Sequence, residues 1–231
     1  MNARQPCVVF DLDDTLYLER EYVRSGFEAV GDWAGRNLGI SDFGDRAWRL
    51  FEGGCRREVF DVLLKESGWD PSPPLIEEVV AVYRTHSPRI SALPDAIDCL
   101  SFFQGTAVLA LISDGSPTSQ QLKVRALKLE RFFELVVLTG VWGQTFSKPH
   151  LRAFQLVQAR LKPSDGRFIY VADNPEKDFI APAALGWETV RVRRPGGLHA
   201  QTEARPGAEP DIEMDDLSEL RDFVYRSAAQ L

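Results

Sequence analysis

The sequence predicts an α/β fold: a doubly wound parallel sheet that is interrupted after its first strand by an all-helical segment. Residues 7–11 and several later segments are short apolar runs rich in β-branched residues, the pattern of buried strands. From residue 94 onward such runs alternate with amphipathic stretches, and strand–helix–strand repeats build parallel sheets. Residues 18–89 carry helical periodicity only, so we expect them to form a separate helical layer.

The elements of the sheet domain can be placed in chain order. Strands are predicted by apolar, β-branched runs at 7–11, 107–112, 134–138, 167–172 and 188–192, with a short last strand at 211–213. Helices are predicted between them near 95–104, 117–129, 150–162 and 177–185. Residues 194–210 are rich in Gly, Pro and Ala and have no periodicity, which indicates a mobile loop before the last strand and a final helix.

The helical segment is expected to contain three helices. Apolar residues recur at three- and four-residue spacing along residues 22–34, 41–67 and 74–85, which is typical of amphipathic helices. The second of these stretches includes Gly53-Gly54, which should bend or break it. We therefore predict two domains. The α/β core comprises residues 1–17 and 90–231, and residues 18–89 form a helical domain inserted into it.

Composition excludes several classes of protein. The chain has 231 residues, a net charge of −7 and 44% apolar residues, which suits a globular protein rather than a disordered one. The sequence has no run of basic residues of the kind that indicates nucleic-acid binding, so we expect no nucleic-acid partner. No apolar run approaches the length of about 18 residues that predicts a membrane span, and the N-terminus lacks an apolar signal region. We expect a cytoplasmic protein with no membrane partner.

The three cysteines, Cys7, Cys55 and Cys99, are odd in number, widely spaced and set among apolar neighbours. This pattern predicts buried thiols of a reducing compartment rather than disulfides or a metal site.

Three carboxylates and a hydroxyl follow the first predicted strand, in the segment DLDDT at residues 11–15. Side chains at i and i+2 of a strand point the same way, so Asp11 and Asp13 can share the opening where parallel sheets usually bind ligands. Two close carboxylates repel each other unless a cation lies between them. An oxygen-lined site with few carboxylates suits Mg²⁺. An Asp-rich turn is the alternative interpretation of this segment alone.

Three further predicted strand or helix boundaries carry groups that phosphoryl transfer uses. The strand at 107–112 runs into Ser113-Asp114-Gly115, whose hydroxyl and backbone N–H groups could bind phosphate oxygens ahead of a helix. Lys148 precedes a predicted helix, a poor place for a cation unless an anion lies nearby. The strand at 167–172 runs into Asp173, which could complete a metal site, and Asp178 could cap a helix, orient Lys148 or bind the metal through water.

Taken together, these motifs resemble those of the haloacid dehalogenase superfamily, over nearly the whole chain. DLDDT at 11–15 is similar to that family's first motif, SDG at 113–115 to its second, KP at 148–149 to its third and DNPEKD at 173–178 to its fourth. The resemblance implies a Rossmann-like core domain, with residues 18–89 as a helical C1-type cap domain. It also implies a phosphoric monoester hydrolase.

The resemblance assigns a role to each candidate residue. Asp11 would be the nucleophile that forms an aspartyl-phosphate, Asp13 the general acid and base, and Lys148 the cation that offsets their charge. Mg²⁺ would be held by the Asp11 carboxylate, the Asp13 backbone carbonyl and Asp173. The groups expected to bind phosphate or to brace its loop are Thr15, Ser113, Asp114, Gly115 and Lys148, and Asn174 and Asp178 would support the site.

Other functions remain open at this point. A dehalogenase is disfavoured because dehalogenases of this family carry no acid at the position of Asp13. A phosphomutase would keep the same residues, and a non-catalytic binding protein on this fold would be expected to lose Asp11, Asp13, Lys148 or Asp173. All four are present. We therefore predict hydrolysis of a small phosphorylated metabolite, such as a sugar phosphate, a nucleotide or an organic phosphate, by a monomer or homodimer.

Overall fold

The structure is a computed structural model that describes residues 5–226. Within these residues the chain forms a six-stranded sheet in which all neighbouring strands are parallel. The strands are β1 (Cys7–Phe10), β2 (Val108–Ser113), β3 (Leu135–Leu138), β4 (Phe168–Ala172), β5 (Glu188–Val192) and β6 (Ile212–Met214). The predicted α/β fold is confirmed, and each strand begins and ends within one residue of its predicted position.

The order of the strands places β1 at the centre of the sheet. The order is β3-β2-β1-β4-β5-β6, so the chain winds outward from β1 in one direction and then from β4 in the other. Val9 is in register with Ala110 on one side and Tyr170 on the other. In doubly wound sheets of this order, ligands bind beyond the carboxyl ends of the strands where the winding direction reverses. Here that position lies at the ends of β1 and β4.

Nine α-helices connect or follow these strands within residues 5–226. They are α1 (Glu19–Leu38), α2 (Phe43–Glu52), α3 (Val59–Glu66), α4 (Pro73–Thr85), α5 (Pro94–Phe103), α6 (Pro117–Ala126), α7 (Arg152–Arg160), α8 (Ile180–Ala184) and α9 (Leu220–Arg226). Ser116 is the N-cap residue of α6 and Pro117 is its first residue. None of the helices in this part of the chain is both long and apolar enough to cross a membrane.

One face of the sheet packs against α7. Alternating strand residues such as Cys7 and Val9 are fully buried there, as the two-residue period of a strand requires. Phe154 of α7 is also fully buried, with its ring centroid 5.0 Å from that of Tyr170 and 5.5 Å from that of Trp187. This packing fixes β4 and the loop that follows it.

The chain divides into two compact units, one of Met1–Glu19 with Ser91–Leu231 and one of Arg20–Ile90. The second unit consists of helices only. Its predicted helix at 41–67 is two helices in the structure, α2 and α3, and Gly54 between them has a φ of +94°. Glycine adopts this left-handed conformation without steric cost, so the chain can turn there. The expected break at Gly53-Gly54 is confirmed.

The cysteines differ in burial. Cys7 and Cys99 are buried, and burial raises the pKa of each thiol to about 12. Cys55 is partly exposed, so the expectation that all three are buried is wrong at this position. The physical reason is that Cys55 follows the Gly53-Gly54 break and therefore lies outside the apolar stripe of either flanking helix.

We expect a thiol reagent such as Ellman's reagent at pH 8 to modify Cys55 in the folded protein and to leave Cys7 and Cys99 unmodified, because the thiolate is the reactive form. All three should react in denaturant. Rapid labelling of more than one thiol in the folded protein would contradict this burial pattern, and Cys55→Ser serves as the control that removes the fast phase.

Replacing Phe154 by Ala should lower the free energy of unfolding by about 3–5 kcal/mol, because it removes a fully buried aromatic ring and leaves a cavity. Denaturation in urea or guanidinium chloride measures the loss. Leu151→Ala, at the partly exposed position before α7, should change stability by less than about 0.5 kcal/mol. Equal losses for the two variants would show that the α7 contact is not the one that stabilises the sheet.

Candidate active site

The ends of β1 and β4 bring two of the predicted site residues, Asp11 and Asp173, close together. Asp11 directly follows β1 and Asp173 directly follows β4. The backbone N–H of Asp11 donates to the carbonyl of Val171, 2.8 Å away, which continues the parallel pairing of the two strands by one step. The neighbouring strands therefore fix both aspartates at the carboxyl edge of the sheet, as the sequence predicted.

Asp178 joins these two residues in a buried acidic cluster. One carboxylate oxygen from each of Asp11, Asp173 and Asp178 lies within 4.8 Å of the others, and all three residues are buried. Burial, opposed by Lys148, raises the pKa of Asp11 to about 7, and burial together with Asp178 and Asp11 holds the pKa of Asp173 well above its usual range. Carboxylates crowded in this way favour a cation, and an all-oxygen donor set fits Mg²⁺.

Lys148 lies beside this cluster and is almost completely buried. Its ammonium Nζ is 2.8 Å from Oδ1 of Asp11 and 2.8 Å from Oδ1 of Asp178, and it donates to the Tyr170 hydroxyl at 3.0 Å. Burial would lower the pKa of Lys148, but Asp11 and Asp178 outweigh that effect and raise it well above its usual range. Lys148 is therefore a permanent cation, and of the roles that the sequence left open for Asp178, the contact with Lys148 is observed.

The last residue of β2 and the turn that follows it provide groups that can bind a ligand. Ser113 is fully buried, and its Oγ has no hydrogen-bond partner in the part of the chain that the structure describes. An unpaired buried hydroxyl is costly unless a ligand or water satisfies it. Gly115 has a φ of +115°, and a Cβ there would lie 2.9 Å from the Gln120 side chain. The turn thus needs glycine and leaves a polar cradle at the predicted phosphate site.

Asp114 connects three segments of the site through its carboxylate. Oδ1 accepts hydrogen bonds from the Thr139 hydroxyl at 2.7 Å and from the Lys148 backbone N–H at 3.1 Å, and Oδ2 accepts one from the Lys177 ammonium at 2.7 Å. Burial alone would raise its pKa, but Lys148 and Lys177 outweigh this and lower it. Asp114 therefore remains ionised and fixes the backbone position of Lys148.

Asp13 lies outside the acidic cluster and has its own cation. Its Oδ1 accepts hydrogen bonds from the Lys123 ammonium at 2.6 Å and from the Tyr17 hydroxyl, and its Oδ2 accepts one from the Gln120 amide at 2.9 Å. Although burial opposes the effect, Lys123 and the other donors lower the pKa of Asp13. The two aspartates of the first motif therefore have opposite pKa shifts, because each has its own set of charged and hydrogen-bonding neighbours.

The loop that follows β1 is held in place by hydrogen bonds to the Thr15 carbonyl and to the Asp14 carboxylate. The carbonyl of Thr15 accepts hydrogen bonds from Nε and Nη2 of Arg194, at 3.1 and 2.8 Å. The Thr15 hydroxyl is buried without a partner among residues 5–226. Asp14 has a φ of +50°, and its carboxylate accepts the backbone N–H groups of Glu19 and Leu198 at 2.8 and 2.7 Å. Thr15 thus anchors the loop through its carbonyl rather than its hydroxyl.

Asn174 and the segment 194–202 complete the surroundings of Asp173. The backbone N–H of Asn174 donates to Oδ2 of Asp178 at 3.1 Å, and its amide nitrogen lies 3.0 Å from Nε2 of His199. The fully buried guanidinium of Arg191 donates to the Asp173 carbonyl at 3.2 Å and to the His199 carbonyl at 2.9 Å. The segment predicted as a mobile loop is therefore hydrogen-bonded to the loops after β1 and β4.

Sequence reasoning missed several residues that contact the site. Gln120 and Lys123 lie three positions apart on α6, next to buried Val124, and this polar pair on an apolar helix face is the signal that could have indicated them. Arg191 lies on the same face of β5 as buried Thr189, so a charged residue within a buried strand was the corresponding signal. Arg194 and His199 gave none, because they lie in an aperiodic segment.

Comparison with known proteins identifies the family. A family profile described as a haloacid dehalogenase-like hydrolase matches residues 6–186. The chain belongs to this family of hydrolases. A relative from Methanopyrus kandleri, named glyceraldehyde 3-phosphate phosphatase, is 30% identical over 96% of this chain and 97% of its own. A relative from Thermus thermophilus, named phosphoserine phosphatase, is 28% identical over 86% of this chain and 70% of its own.

Solved structures agree with the family at the level of the fold. The HAD-hydrolase YfnB from Bacillus subtilis, crystallised bound to magnesium, has a TM-score of 0.70 at 21% identity and covers 96% of this chain and 99% of its own. At this identity the likeness shows the fold alone. The Rossmann-like α/β core that the sequence resemblance implied is thus a feature of this member of the family.

Replacing Lys148 by Met should destabilise the metal-free protein by about 3–5 kcal/mol at pH 8, because it leaves Asp11 and Asp178 buried without their cation. The pKa of Asp11, which burial already raises to about 7, then rises further in the folded state. The folded protein therefore binds more protons than the unfolded chain between about pH 4 and pH 8, and stability falls as pH rises through this range. Chemical denaturation at pH 5 and pH 8 measures the difference.

The matched control is Lys162→Met, which removes an exposed lysine and should change stability by less than about 0.5 kcal/mol at either pH. A Lys148→Met variant that loses equal stability at pH 5 and pH 8 would rule out the carboxylates as the source of the effect.

Proposed function

We propose that this hydrolase is a Mg²⁺-dependent phosphatase that cleaves small phosphomonoesters through an aspartyl-phosphate on Asp11. The observation that carries the proposal is the 2.8 Å contact between the buried Lys148 ammonium and the Asp11 carboxylate, beside two further aspartates. A fixed cation next to a nucleophilic carboxylate offsets the charge that a phosphoryl group brings into the site. The two relatives named as phosphatases support the same reaction class.

The metal would be held by the carboxylates of Asp11 and Asp173 and by the backbone carbonyl of Asp13. When bound, Mg²⁺ supplies positive charge against the phosphoryl oxygens and holds them in position. Asp178, whose Oδ1 contacts Lys148 and whose Oδ2 accepts the Asn174 N–H, would keep the lysine and the loop after β4 in place.

In the first half of the reaction, a carboxylate oxygen of Asp11 attacks phosphorus. The new oxygen–phosphorus bond forms as the bond from phosphorus to the leaving oxygen breaks, and protonated Asp13 gives its proton to that oxygen. The Ser113 hydroxyl, which has no partner among the described residues, and the backbone N–H groups of Asp114 and Gly115 would bind the phosphoryl oxygens. Lys148 would offset their charge.

In the second half, water hydrolyses the aspartyl-phosphate. Ionised Asp13 accepts a proton from the water, the water oxygen bonds to phosphorus, and the bond from phosphorus to Asp11 breaks. Inorganic phosphate leaves, Asp11 regains its carboxylate, and Asp13 again carries the proton that the next first half-reaction needs. The cation that lowers the pKa of Asp13 favours its ionised form, which is the form that acts as the base here.

We also propose that residues 18–89 act as a cap domain that recognises the leaving group, with residues 1–17 and 90–231 as the catalytic core. The substrate class is a small phosphorylated metabolite. The reaction chemistry resides in the α/β unit alone, so residues of the helical segment are free to differ with the leaving group without any change in the catalytic residues.

Phosphate release should be measured from a panel of glyceraldehyde 3-phosphate, phosphoserine, sugar phosphates and nucleoside monophosphates. We expect release that requires Mg²⁺, that stops when a chelator is added, and that falls by at least about 10³-fold in Asp11→Asn. The matched control is Asp215→Asn, which neutralises an exposed aspartate and should leave the rate unchanged.

Two outcomes would overturn the proposal. Comparable release from Asp11→Asn would remove Asp11 as the nucleophile. Transfer of the phosphoryl group within or between substrates without release of phosphate would assign the chain as a phosphomutase instead.

A further inference from the structure

The carboxylate of Asp13 is held by three donors, two of which lie on α6. Lys123 is 3% exposed and Gln120 is 4% exposed, and their Nζ and Nε2 atoms lie 2.6 and 2.9 Å from the two oxygens of Asp13. The third donor is the hydroxyl of buried Tyr17. Asp13 itself keeps 19% of its side chain exposed. The three donors therefore hold its carboxylate in position while part of the side chain remains accessible to solvent.

The distribution of the donors distinguishes the two oxygens of Asp13. Oδ1 accepts two hydrogen bonds, from Lys123 and Tyr17, whereas Oδ2 accepts one, from Gln120. A carboxylate oxygen has two lone pairs. Within residues 5–226, these contacts use the full capacity of Oδ1 and leave one lone pair on Oδ2. Oδ2 is therefore the oxygen that has room to carry a proton.

We propose that Gln120 and Lys123 are positioning residues for the reaction, which fix the Asp13 carboxylate so that Oδ2 gives the proton to the leaving oxygen and later takes one from water. This inference rests on the proposed phosphatase function and adds two residues and one atom to it. Neither residue contacts the phosphoryl group in this assignment, and both act through Asp13.

Gln120 also ties Asp13 to the phosphate loop. Its Nε2 donates to the Asp114 carbonyl as well as to Asp13 Oδ2, and the missing side chain of Gly115 gives the amide room to reach both. Both neighbours of Nε2 are acceptors, which fixes the orientation of the amide. The acid–base group and the turn that would bind phosphate are therefore held at a set spacing by one side chain.

Stability alone is a weak reason for this arrangement. A buried ion pair seldom stabilises a fold more than apolar side chains of the same size, because both charges lose their hydration. If Lys123 and Gln120 only stabilised the fold, their removal would lower the thermal midpoint and slow all substrates alike. If they position Asp13, their removal should instead reproduce the kinetic signature of losing Asp13.

That signature is a dependence on the leaving group. An alkyl phosphate needs a proton on its leaving oxygen, whereas para-nitrophenyl phosphate releases a stable anion that needs none. The quantity to compare is kcat/KM, because it reports the steps up to the departure of the alcohol. For the alkyl phosphate hydrolysed fastest in the panel above, we expect kcat/KM to fall by about 10²-fold or more in Asp13→Asn, and by about 10-fold in Lys123→Met and Gln120→Leu.

For para-nitrophenyl phosphate, the same three variants should lose less than about 3-fold in kcat/KM, because general acid catalysis contributes little to a good leaving group. In an Asp13→Asn background, adding Lys123→Met or Gln120→Leu should change kcat/KM by less than about 2-fold, because residues that act through the same group are not additive. Lys123→Arg keeps a cationic donor and should recover part of the activity.

Gln121→Leu and Arg125→Met are the matched controls. Both change exposed positions on the same helix and should leave both substrates unaffected. Gln120→Leu removes a neutral donor and leaves the Lys123–Asp13 ion pair in place, so it keeps the test valid if Lys123→Met does not fold. Equal losses for both phosphates, or full additivity with Asp13→Asn, would overturn the positioning role while the proposed function stands. A wild-type protein without Asp11-dependent release would overturn both.

Discussion

The ion pairs of Lys148 are the interaction on which the rest of the site depends. A single ammonium group, 1% exposed, lies 2.8 Å from each of two buried carboxylates, so the site holds more negative than positive charge before any ligand arrives. The surplus raises the pKa of Asp11 and Asp173. Unpaired buried charge is among the most destabilising features a protein can hold, so a cation bound beside these carboxylates would stabilise the folded site.

Hydrogen bonds from residues outside the acidic cluster keep these charges in place. Asp114 fixes the backbone of Lys148, and two buried arginines, Arg191 and Arg194, donate to the carbonyls of Asp173 and Thr15. Carbonyls at strand ends have left the sheet ladder and need new partners when they are buried. A guanidinium has several donors in a rigid plane, so one arginine can satisfy several carbonyls at once. The loops after β1 and β4 are thus anchored by side chains from distant parts of the chain.

Each aspartate of the first motif has a different lysine as its partner. Lys148 contacts Asp11 within the acidic cluster, and Lys123 contacts Asp13 outside it. The pKa of Asp11 is raised because like charges and burial outweigh its cation, and the pKa of Asp13 is lowered because its cation and neutral donors outweigh burial. Two carboxylates two residues apart can therefore serve different steps, since each has its own surroundings.

The sequence by itself determined the fold class, every strand to within one residue and the placement of candidate site residues at strand ends. It could do so because a buried parallel strand is a short apolar run, and because groups at the carboxyl ends of such strands share one edge of the sheet. Asp11, Ser113 and Asp173 were found in this way. Local patterns also indicated the helix break at Gly53-Gly54, which depends on neighbouring residues only.

Only the tertiary structure decided which partners these residues have. Lys123 contacts Asp13 across 110 positions and Arg194 contacts Thr15 across 179, and no local period encodes a pairing between such distant residues. The same holds for Asp178, for which the sequence allowed three roles and the structure shows a contact with Lys148. Local propensity determines which helix or strand a residue belongs to. Which charged groups lie next to its side chain depends on how the helices and strands pack together.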